Sequence, residues 1–562
     1  MENRPQGGGA AAPPRGNEQS GKATFAQEAR QQVLIVGAGP VGLALAIELG
    51  HRGIPCLVVE RNDRTGYAAR AKTTNVRTRE HLRRWGIAGK LRDASPFGLD
   101  YPSHAVFVTR LGGHALTRFD NAFYCAPGRN PLYSEHAQWI PQYSLEEVLR
   151  LHAQSLPGVE LRFNCELRGL DQSADGVRAQ LHDLTRGSDL EVRADYLVGA
   201  DGARSSVREA IGARMLGEHG LSHNYNIVFR APGLAQAHRH GPAIMYWQIN
   251  ADVPSLIGPM DRGDKWFFMP THVPKGTRPS DLDAAAMIAR STGIELPYQV
   301  LSTDEWTASR LIADRYRERR VFLAGDACHL HPPFGGYGMN MGVADGVDLG
   351  WKLAAVLQGW GGPALLDSYA AERRPVHEWV LNEAVANHAV LGNQLAADGI
   401  EAEGAAGELL RSEIGQRIQT AKLREFATLG VVLGYHYEDS PVIAADGTPA
   451  PQPDFINYVP SARPGHLAPH AWLHDGSSLY DHFGAGFTLL AARGVPADEI
   501  HATLRLAHQS GLPMTSVQPH EGGVAALYPT RFTLIRPDQH VAWRGNVAPS
   551  VAALRRAAGL AH

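Results

Sequence analysis

The chain has 562 residues, of which 44% are hydrophobic and 20% are charged. Such a chain is globular and long enough to divide into about two or three domains. Its formal net charge of -3 gives no bulk electrostatic reason to bind nucleic acid or an anionic membrane, so neither partner is expected. Its four cysteines lie far apart without metal-ligand spacing, which predicts buried thiols in a cytoplasmic protein, no disulfide and no metal.

The N-terminal part of the chain changes character near residue 31. Residues 1–30 are rich in Gly and Pro and lack the apolar segment of a signal peptide, which predicts a disordered tail. The run from Val33 to Val36 is entirely apolar, as a parallel strand buried on both faces requires. A glycine-rich turn and a helix that starts near Val41 are predicted to follow this strand directly.

The glycine-rich turn has the spacing of a dinucleotide site. Gly37 permits a tight turn, Gly39 lets the backbone approach a pyrophosphate, and Gly42 allows the next helix to pack closely on the sheet. A second apolar strand, residues 56–59, ends at Glu60, where an acidic group is expected to accept hydrogen bonds from a ribose. The pattern therefore predicts an ADP-binding site, which FAD and NAD would fit equally well.

Two later segments favour a flavin. Residues 197–208 form another apolar strand that runs into a turn with Asp201, although an ordinary helix start capped by Ser205 would give the same pattern. Residues 321–324 are a further buried strand, and Asp326 follows it in position to accept hydrogen bonds from sugar-like hydroxyls. The next loop offers the bare backbone that a flat ring needs, because it contains Gly335, Gly336, Gly338 and Gly342.

On these three motifs the chain resembles the class A flavoprotein monooxygenases, the para-hydroxybenzoate and phenol hydroxylase family, and most closely their aromatic polyketide and phenol hydroxylase branch. The resemblance implies an α/β fold with a Rossmann-like FAD-binding domain of the glutathione-reductase type, an inserted β-sheet substrate domain and a C-terminal thioredoxin-like domain. It also implies bound FAD, transient NADPH or NADH, and dioxygen as co-substrate. The cofactor-binding residues that it implies are Gly37, Gly39, Pro40, Gly42, Glu60, Arg61, Arg70, Gln142, Asp201, Gly325, Asp326, Pro333, Gly338, Met339 and Asn340.

The predicted domains follow from the same resemblance. A discontinuous FAD-binding domain over 31–440 is interrupted by a substrate-binding sheet at about 100–138 and 216–300, and it carries a helical segment at 376–435. A Pro-rich linker over 441–464 leads to the thioredoxin-like domain at 465–562. No cysteine follows Cys328, so this last domain lacks a CxxC motif and is expected to have a structural role or to support a homodimer.

The resemblance implies hydroxylation of a phenolic or aromatic polyketide-like substrate through a peroxide at flavin carbon C4a, with NADPH preferred as hydride donor. Baeyer-Villiger oxidation and epoxidation would use the same motifs, and a non-catalytic FAD-binding protein is a remote alternative. The chain has no second dinucleotide turn, so NADPH is expected in a surface groove, where Arg204, Arg208 and Arg61 offer charges for its phosphates.

Two aromatic strands, 244–248 and 265–269, are predicted to form the substrate pocket. Tyr246 lies where the family's prototype has a phenol-activating tyrosine, and His331 is a candidate base because imidazole titrates near neutrality. A purely structural role is the alternative for both residues, and for Tyr246 this is a place in the aromatic core. Pro259 stands near the position of the prototype's carboxylate-binding arginine, which favours a larger, neutral aromatic over a small benzoate. The candidate pocket residues are Gln248, Lys265, Phe267 and Phe334.

Overall fold

The structure is a computed structural model that describes residues 26–27, 30–64, 71–271, 273–274, 276–390 and 395–560. Within them the α-helices are α1 Pro40–His51, α2 Val76–Arg84, α3 Ala88–Asp93, α4 Gln142–Ser155, α5 Ser206–Ala210, α6 Ala284–Thr292, α7 Gly338–Leu357, α8 Pro363–His388, α9 Ala405–Phe426, α10 Leu429–Gly434, α11 Ala497–Gln509, α12 Gly522–Leu527 and α13 Val551–Ala557. None of these helices is both long and apolar enough to cross a membrane.

The strands in the same part of the chain are β1 Ala26–Gln27, β2 Gln31–Val36, β3 Cys56–Glu60, β4 Thr73–Thr74, β5 Ala105–Val108, β6 Ala115–Phe119, β7 Gln138–Trp139, β8 Val159–Phe163, β9 Cys165–Gln172, β10 Val177–Asp183, β11 Ser188–Gly199, β12 Met215–Arg230, β13 Met245–Gln248, β14 Ser255–Pro259, β15 Lys265–Pro270, β16 Gln299–Ala313, β17 Arg317–Glu318, β18 Val321–Leu323, β19 His329–Leu330, β20 Phe487–Ala491, β21 Met514–Val517, β22 Phe532–Ile535 and β23 Val541–Gly545.

The first sheet carries the three predicted flavin motifs. Its strands follow the order β17-β18-β11-β2-β3-β8, and the pairs from β18 to β8 are parallel. Because helices cover both faces of a parallel sheet, the apolar run Val33 to Val36 is buried. The carboxyl ends of β2, β11 and β18 meet at one edge, where a doubly wound sheet binds its ligand. This arrangement confirms the predicted Rossmann-like domain.

The predicted N-terminal tail is partly ordered. Ala26 and Gln27 pair with Leu190 and Glu191 of β11 as a short parallel strand, so the prediction of disorder over 1–30 is wrong at these two residues. Arg30 also forms an ion pair with Asp195. Residues 1–25 and 28–29 of the predicted tail lie outside the described residues.

The second sheet is the predicted substrate domain. Its eight strands follow the order β19-β16-β12-β15-β14-β13-β5-β6, and it extends past the predicted limit near residue 300 because β16 and β19 belong to it. Side chains alternate between the two faces of each strand. Trp247 and Phe267 therefore lie on the face that packs on the FAD-binding domain, whereas Tyr246 and Phe268 lie on the opposite face.

The C-terminal domain has the connectivity of a thioredoxin fold. Its four strands follow the order β21-β20-β22-β23, with β20 and β21 parallel and the other pairs antiparallel. Helix α11 connects the parallel pair and α13 follows the last strand. The predicted thioredoxin-like topology is thereby confirmed. Buried Arg536 joins this domain to the rest of the chain through Glu372 of α8 at 2.7 Å and Asp348 of α7 at 3.1 Å.

Candidate flavin and substrate site

The glycine turn after β2 forms a cradle for a pyrophosphate. Gly37 has φ +108°, and a side chain on Gly42 would collide with the carbonyl oxygen of Gly37. At Gly39, by contrast, a Cβ would meet no atom nearer than the Arg64 guanidinium, 3.7 Å away. Pro40 begins α1 directly after this turn, so the helix N-terminus faces the same point. The turn is shaped to bring bare backbone and a helix dipole to an anionic group, which fits FAD.

Glu60 is held at the carboxyl end of β3. Its two carboxylate oxygens accept hydrogen bonds from the backbone N–H groups of Ala38 and Asn62, each at 3.1 Å. A carboxylate has about four acceptor positions, so Glu60 keeps capacity for ribose hydroxyls. Arg61 is exposed beside it. The predicted flavin contact of Arg70 lies outside the described residues.

Arg64 is a basic residue at the glycine turn that the sequence analysis missed. Its guanidinium donates to Glu146 at 2.6 Å and reaches Glu60 at 3.4 Å. Gln142 donates to the same Glu146 at 2.7 Å and accepts a hydrogen bond from the Ala71 backbone at 3.2 Å. Both polar atoms of Gln142 thus bind protein, and they position the chain beside the cradle. Nothing in the local sequence pattern signals Arg64, because long-range ion pairs place it there.

Asp201 and Arg208 are engaged inside the second motif. The Asp201 carboxylate accepts hydrogen bonds from Ser205 Oγ at 2.5 Å and Val207 N at 3.2 Å, while Ser205 caps Arg208 N at 2.9 Å. The Arg208 guanidinium donates to the carbonyls of Ala327 and Ala203. The structure therefore corrects the expectation that Arg208 is available for phosphates, whereas Arg204 is exposed.

The third motif closes over the cradle. Gly325 has φ +63°, and a Cβ there would lie 2.7 Å from Val41 of α1, so only glycine brings this turn against the helix. Asp326 and Pro333 are exposed, and Gly338 and Met339 are half-buried at the start of α7. The motif presents exposed polar and bare backbone groups on the side expected for a ribityl chain and ring.

Asn340 holds the third motif in place. Its Oδ1 accepts hydrogen bonds from Asn75 N at 3.0 Å and Thr78 Oγ1 at 2.7 Å. Its Nδ2 donates to the carbonyls of Thr73 at 2.8 Å and Gly336 at 2.7 Å. We call the loop over residues 331–339 the flavin loop. These four bonds occupy the amide of Asn340, so this buried residue positions the flavin loop.

Buried charges converge behind the same loop. The Asp345 carboxylate accepts hydrogen bonds from His329 Nε2 and His377 Nε2, each at 2.8 Å, and from Arg373 Nε at 2.7 Å. Burial raises the pKa of Asp345, but His377, Arg373 and His329 outweigh it and hold that pKa well below its usual range. The charged carboxylate fixes the proton of both imidazoles on Nε2.

His331 lies beside this network, with its Nδ1 3.2 Å from that of His329. Nitrogen atoms of His329, His331 and His377 lie within 4.8 Å of one another, a spacing that would admit a metal ion that the sequence did not predict. The guanidinium of Arg373 on the shared carboxylate opposes a second cation there. Burial, with the neighbouring imidazoles, lowers the pKa of His331 well below its ordinary value, which makes it a weak base for a phenol.

Aromatic rings cover the inner side of the second sheet. Phe107 and Trp247 stack with centroids 5.8 Å apart, and Lys72 Nζ lies 4.0 Å from the ring centroid of Phe267. We call Phe107, Trp247 and Phe267 the aromatic face. Phe334, from the flavin loop, stacks on Trp247 with centroids 6.1 Å apart. The structure thus brings the predicted pocket residues Phe267 and Phe334 to one layer, and Lys265 shares the strand face of Phe267.

Tyr246 and Gln248, predicted as a catalytic and a pocket residue, lie on the side of the sheet opposite the aromatic face. The Tyr246 hydroxyl donates to the Gly241 carbonyl, and its ring packs edge-on against His238. The Gln248 amide is fully buried and bonds Leu111 N at 2.9 Å and Ser255 Oγ at 2.9 Å. Strand alternation correctly paired these residues, but the choice of face depends on the register with β5 and β14.

A buried ion pair on α9 was also missed by the sequence analysis. Lys422 Nζ lies 2.7 Å from Glu425 Oε2, and 4.7 Å and 5.5 Å from the ring centroids of Trp247 and Phe334. The i, i+3 spacing of a lysine and a glutamate is common on solvated helix faces, so sequence alone gave no reason to single it out.

The comparisons with known families agree with this architecture. The FAD binding domain model matches residues 30–384, and the aromatic-ring hydroxylase C-terminal model matches residues 461–560. The chain belongs to the FAD-dependent aromatic hydroxylase family of class A flavoprotein monooxygenases, as its motifs predicted. It is an FAD-dependent monooxygenase.

Individual relatives are similar along most of the chain. Aklavinone 12-hydroxylase of Streptomyces peucetius is 36% identical over 473 residues, covering 82% of this chain and 91% of that protein. Tetracenomycin B2 monooxygenase-dioxygenase of Streptomyces olivaceus is 34% identical over 545 residues, covering 92% and 95%. The solved structure of RebC with bound 7-carboxy-K252c has a TM-score of 0.88 and 34% identity, covering 96% of this chain and 100% of that chain.

Proposed function

We propose that this monooxygenase hydroxylates a planar, phenolic, polyketide-like compound that lies between the aromatic face and the flavin loop. The observation that carries the proposal is the contact between Trp247 of the second sheet and Phe334 of the flavin loop. It brings a strongly aromatic surface next to the segment that would hold the isoalloxazine ring. Flat rings prefer offset stacking on such side chains.

The rings on the aromatic face and the names of the relatives support a large, neutral ring system. Pro259, which stands near the position expected for a benzoate-binding arginine, pairs with Trp266 on the opposite face of the sheet and brings no charge to the aromatic face. Related polyketide hydroxylases are named for aklavinone and tetracenomycin B2. We infer the same broad substrate class for this chain.

The residues of the site would have separate roles in binding FAD, substrate and NADPH. Gly37, Gly39 and the start of α1 would hold the pyrophosphate of FAD, Glu60 its ribose, and the loop before Asn340 its ring. Bound flavin supplies the oxygen-transfer chemistry, with NADPH as the proposed transient hydride donor. The aromatic face excludes water from the reacting ring carbon, which protects the transferred oxygen from loss to solvent. Exposed Arg61 and Arg204 are the charges we propose for the NADPH phosphates.

The test uses the purified FAD-loaded enzyme with NADPH and a panel of phenols, naphthols and hydroxyanthraquinones. We expect substrate-stimulated NADPH oxidation and oxygen uptake, with a product that gains one oxygen and keeps its carbon skeleton by NMR. A lactone would indicate Baeyer-Villiger oxidation and an epoxide would indicate epoxidation. No stimulation by any panel member would contradict the proposed substrate class.

Two tryptophan variants locate the pocket. Trp247→Leu removes the ring on the aromatic face, and Trp266→Leu is the matched control on the opposite face of the same sheet. We expect Trp247→Leu to raise KM about two- to tenfold, because a lost stacking partner costs about 0.5–1.5 kcal/mol. A larger rise in KM for Trp266→Leu would place the substrate elsewhere.

A further inference from the structure

Lys422 and Glu425 form an ion pair that is removed from solvent. Their side chains are 1% and 5% exposed, and the ammonium nitrogen lies 2.7 Å from the carboxylate oxygen. Burial of two charges is costly, and a structural role would be served as well by apolar side chains of similar volume. The two residues are three positions apart on α9, so they lie on the same face of the helix, and the helix fixes their position relative to their neighbours.

The neighbours of the pair belong to the proposed substrate site. Lys422 Nζ lies over the rings of Trp247 and Phe334, which are the two sides of the contact between the second sheet and the flavin loop. An ammonium group has three donors. Among the described residues, its side-chain hydrogen bond is to Glu425. Donor capacity is therefore left for an oxygen that lies against the aromatic face.

Further polar atoms in this region lack hydrogen-bond partners among the described residues. They include His388 Nδ1, Trp247 Nε1 and the Tyr337 hydroxyl, and the last two residues are at most 1% exposed. Burial raises the pKa of Tyr337 well above its ordinary value, and the charges of Glu383 and Glu425 add to the rise, so the hydroxyl lies within their field. Buried polar atoms are normally paired, so these atoms need a partner that the described side chains do not supply.

We propose that the Lys422–Glu425 pair ionises the phenol of the substrate. The phenol O–H bond breaks, its proton forms a new O–H bond on the Glu425 carboxylate, and the Lys422 ammonium pairs with the resulting phenolate. No electrons are exchanged, and the cation keeps one anionic partner throughout. The inference rests on the proposed function, because it requires the substrate to lie against the aromatic face.

Charge conservation is the physical reason that this pair suits the task. A phenolate alone in a buried aromatic layer would carry a large desolvation penalty, whereas exchange of one anion for another leaves the net charge unchanged. Burial raises the pKa of Glu425, and the opposing effect of Lys422 does not cancel it, so this carboxylate is a stronger base than an exposed one. A phenolate ring is more electron-rich than a phenol, which favours its attack by an electrophilic oxygen.

The other titratable groups near the site differ from the pair in position or basicity. Arg424, two residues along α9, binds Glu383 of α8, and that pair carries no net charge. Burial lowers the pKa of His388, and the charge of Lys422 lowers it further, which makes this imidazole weakly basic. Burial also lowers the pKa of Lys72, to about 8, but this lysine lies over Phe267, whereas Lys422 lies over both rings of the contact between the sheet and the flavin loop. Lys422 and Glu425 are therefore the charged pair at that contact.

The test follows the ionisation directly with 4-nitrophenol, whose phenolate has its own visible band, bound to the FAD-loaded enzyme below the phenol's solution pKa. We expect the nitrophenolate band in the difference spectrum of the wild-type enzyme. Lys422→Met and Glu425→Gln are expected to lose the band, and Lys422→Arg to restore it. The methyl ether 4-nitroanisole, which has no proton to lose, should bind all four proteins alike.

The turnover rate of the variants gives an independent test of the proposed proton transfer. Glu425→Gln is expected to lower kcat for a hydroxylated panel phenol on the order of 100-fold, the usual effect of removing a general base, with FAD reduction by NADPH retained. Because either single variant leaves an unpaired buried charge, the double variant Lys422→Met with Glu425→Leu removes both charges and serves as the folded control. It should keep its FAD and still lack the band.

The outcomes separate this inference from the proposed function. If the wild-type enzyme hydroxylates phenols but shows no nitrophenolate band, or if the variants keep the band and the wild-type kcat, the inference is overturned while the substrate class stands. If no phenol is turned over and none binds, the proposed function fails first and the inference falls with it.

Discussion

The side-chain oxygen of Asn340 accepts a hydrogen bond from the backbone N–H of Asn75 at 3.0 Å. Asn340 stands in the first turn of α7, and Asn75 caps α2 through Thr78 N at 2.9 Å, so one amide joins two helix starts. The flavin loop ends at the same point, because Asn340 also binds the Gly336 carbonyl. A substitution of Asn340 should therefore weaken FAD binding indirectly, by displacing the flavin loop.

Asn340→Ala is expected to weaken FAD binding by about 5- to 150-fold, since it leaves buried backbone groups of the flavin loop unpaired at a cost of about 1–3 kcal/mol. Quenching of flavin fluorescence on titration gives the FAD dissociation constant. The matched control is Asn382→Ala, which changes an exposed asparagine on α8. Equal FAD affinity in the Asn340 variant and the control would show that the amide does not position the loop.

Substitutions of Gly42 and Gly39 in the cradle should have different effects on stability and FAD affinity. Gly42→Ala places a methyl group against the Gly37 carbonyl and is expected to destabilise the fold by about 1–3 kcal/mol, as overpacking does. Gly39→Ala meets only the Arg64 side chain at 3.7 Å, so the apoprotein should keep its thermal stability while FAD affinity falls, because the methyl group stands where the pyrophosphate approaches. Thermal unfolding of the apoproteins, with FAD titration, separates the two effects. Equal losses of stability would contradict this assignment.

Local patterns predicted the elements that build the flavin site. The apolar run before Gly37, the glycine spacing and the acid at Glu60 are consecutive in sequence, and the structure places them as one strand, turn, helix and strand. These features depend on neighbours a few residues away, which a single sequence records. The thioredoxin-like C-terminal domain, by contrast, was predicted from the resemblance to the family.

The parts that were missed depend on contacts distant in sequence. Alternation showed that Tyr246 and Trp247 point to opposite faces, but only pairing with β5 and β14 decides which face meets the flavin loop. Lys422 contacts the ring of Trp247 although the two residues are far apart in sequence, and Arg64 is fixed by Glu146. No local period encodes such pairs, so the flavin cradle was predictable and the substrate side was not.

Removal of the Tyr246 hydroxyl tests whether this residue takes part in catalysis. Tyr246→Phe removes a hydrogen bond to the Gly241 carbonyl on the far side of the sheet, so stability should fall by about 1 kcal/mol. The rate of phenol hydroxylation is expected to stay within about twofold of wild type, because general catalysis by a side chain contributes about 100-fold or more when it is present. A loss of about 100-fold in kcat would return Tyr246 to the active site.

Stability should decrease as the pH falls below 6.5. Burial lowers the pKa of His377 to about 3 from its ordinary 6.5, so between these values the unfolded chain binds a proton that the folded chain does not. Unfolding is then favoured by about 1.4 kcal/mol per pH unit from this one residue. Asp345, whose pKa is depressed, adds its own loss only below pH 3.8.

Urea unfolding of the FAD-loaded enzyme at pH 7.5, 6.5 and 5.5, chosen around that window, measures the slope. Between the two lower pH values, we expect the unfolding free energy of His377→Gln to decline less steeply than that of wild type. At the highest pH the variant is expected to be less stable than wild type. An unchanged slope in this variant would mean that His377 takes up its proton equally in the folded and unfolded states.

Arg536 should be critical for attachment of the C-terminal domain. Its buried guanidinium binds Glu372, Asp348 and Asp538, whereas Lys352 is the other cation that contacts Asp348 and Glu372. Arg536→Met leaves these carboxylates undercompensated inside the protein, which costs about 3–5 kcal/mol. The linker over 441–464 should then be cleaved faster by protease, since it joins the loosened domain to α10.

The control for this change lies in the same domain. Arg531 forms an ion pair with Glu499 at 3.0 Å, and both side chains are 42% exposed. Arg531→Met is expected to cost less than about 1 kcal/mol, because water solvates both charges after the pair is lost. Urea unfolding and limited proteolysis of the two variants should therefore diverge. If they lose the same stability, the buried cluster does not hold the domain, and other contacts do so, such as those of Trp360 with Phe487 and of Arg77 with Asp538.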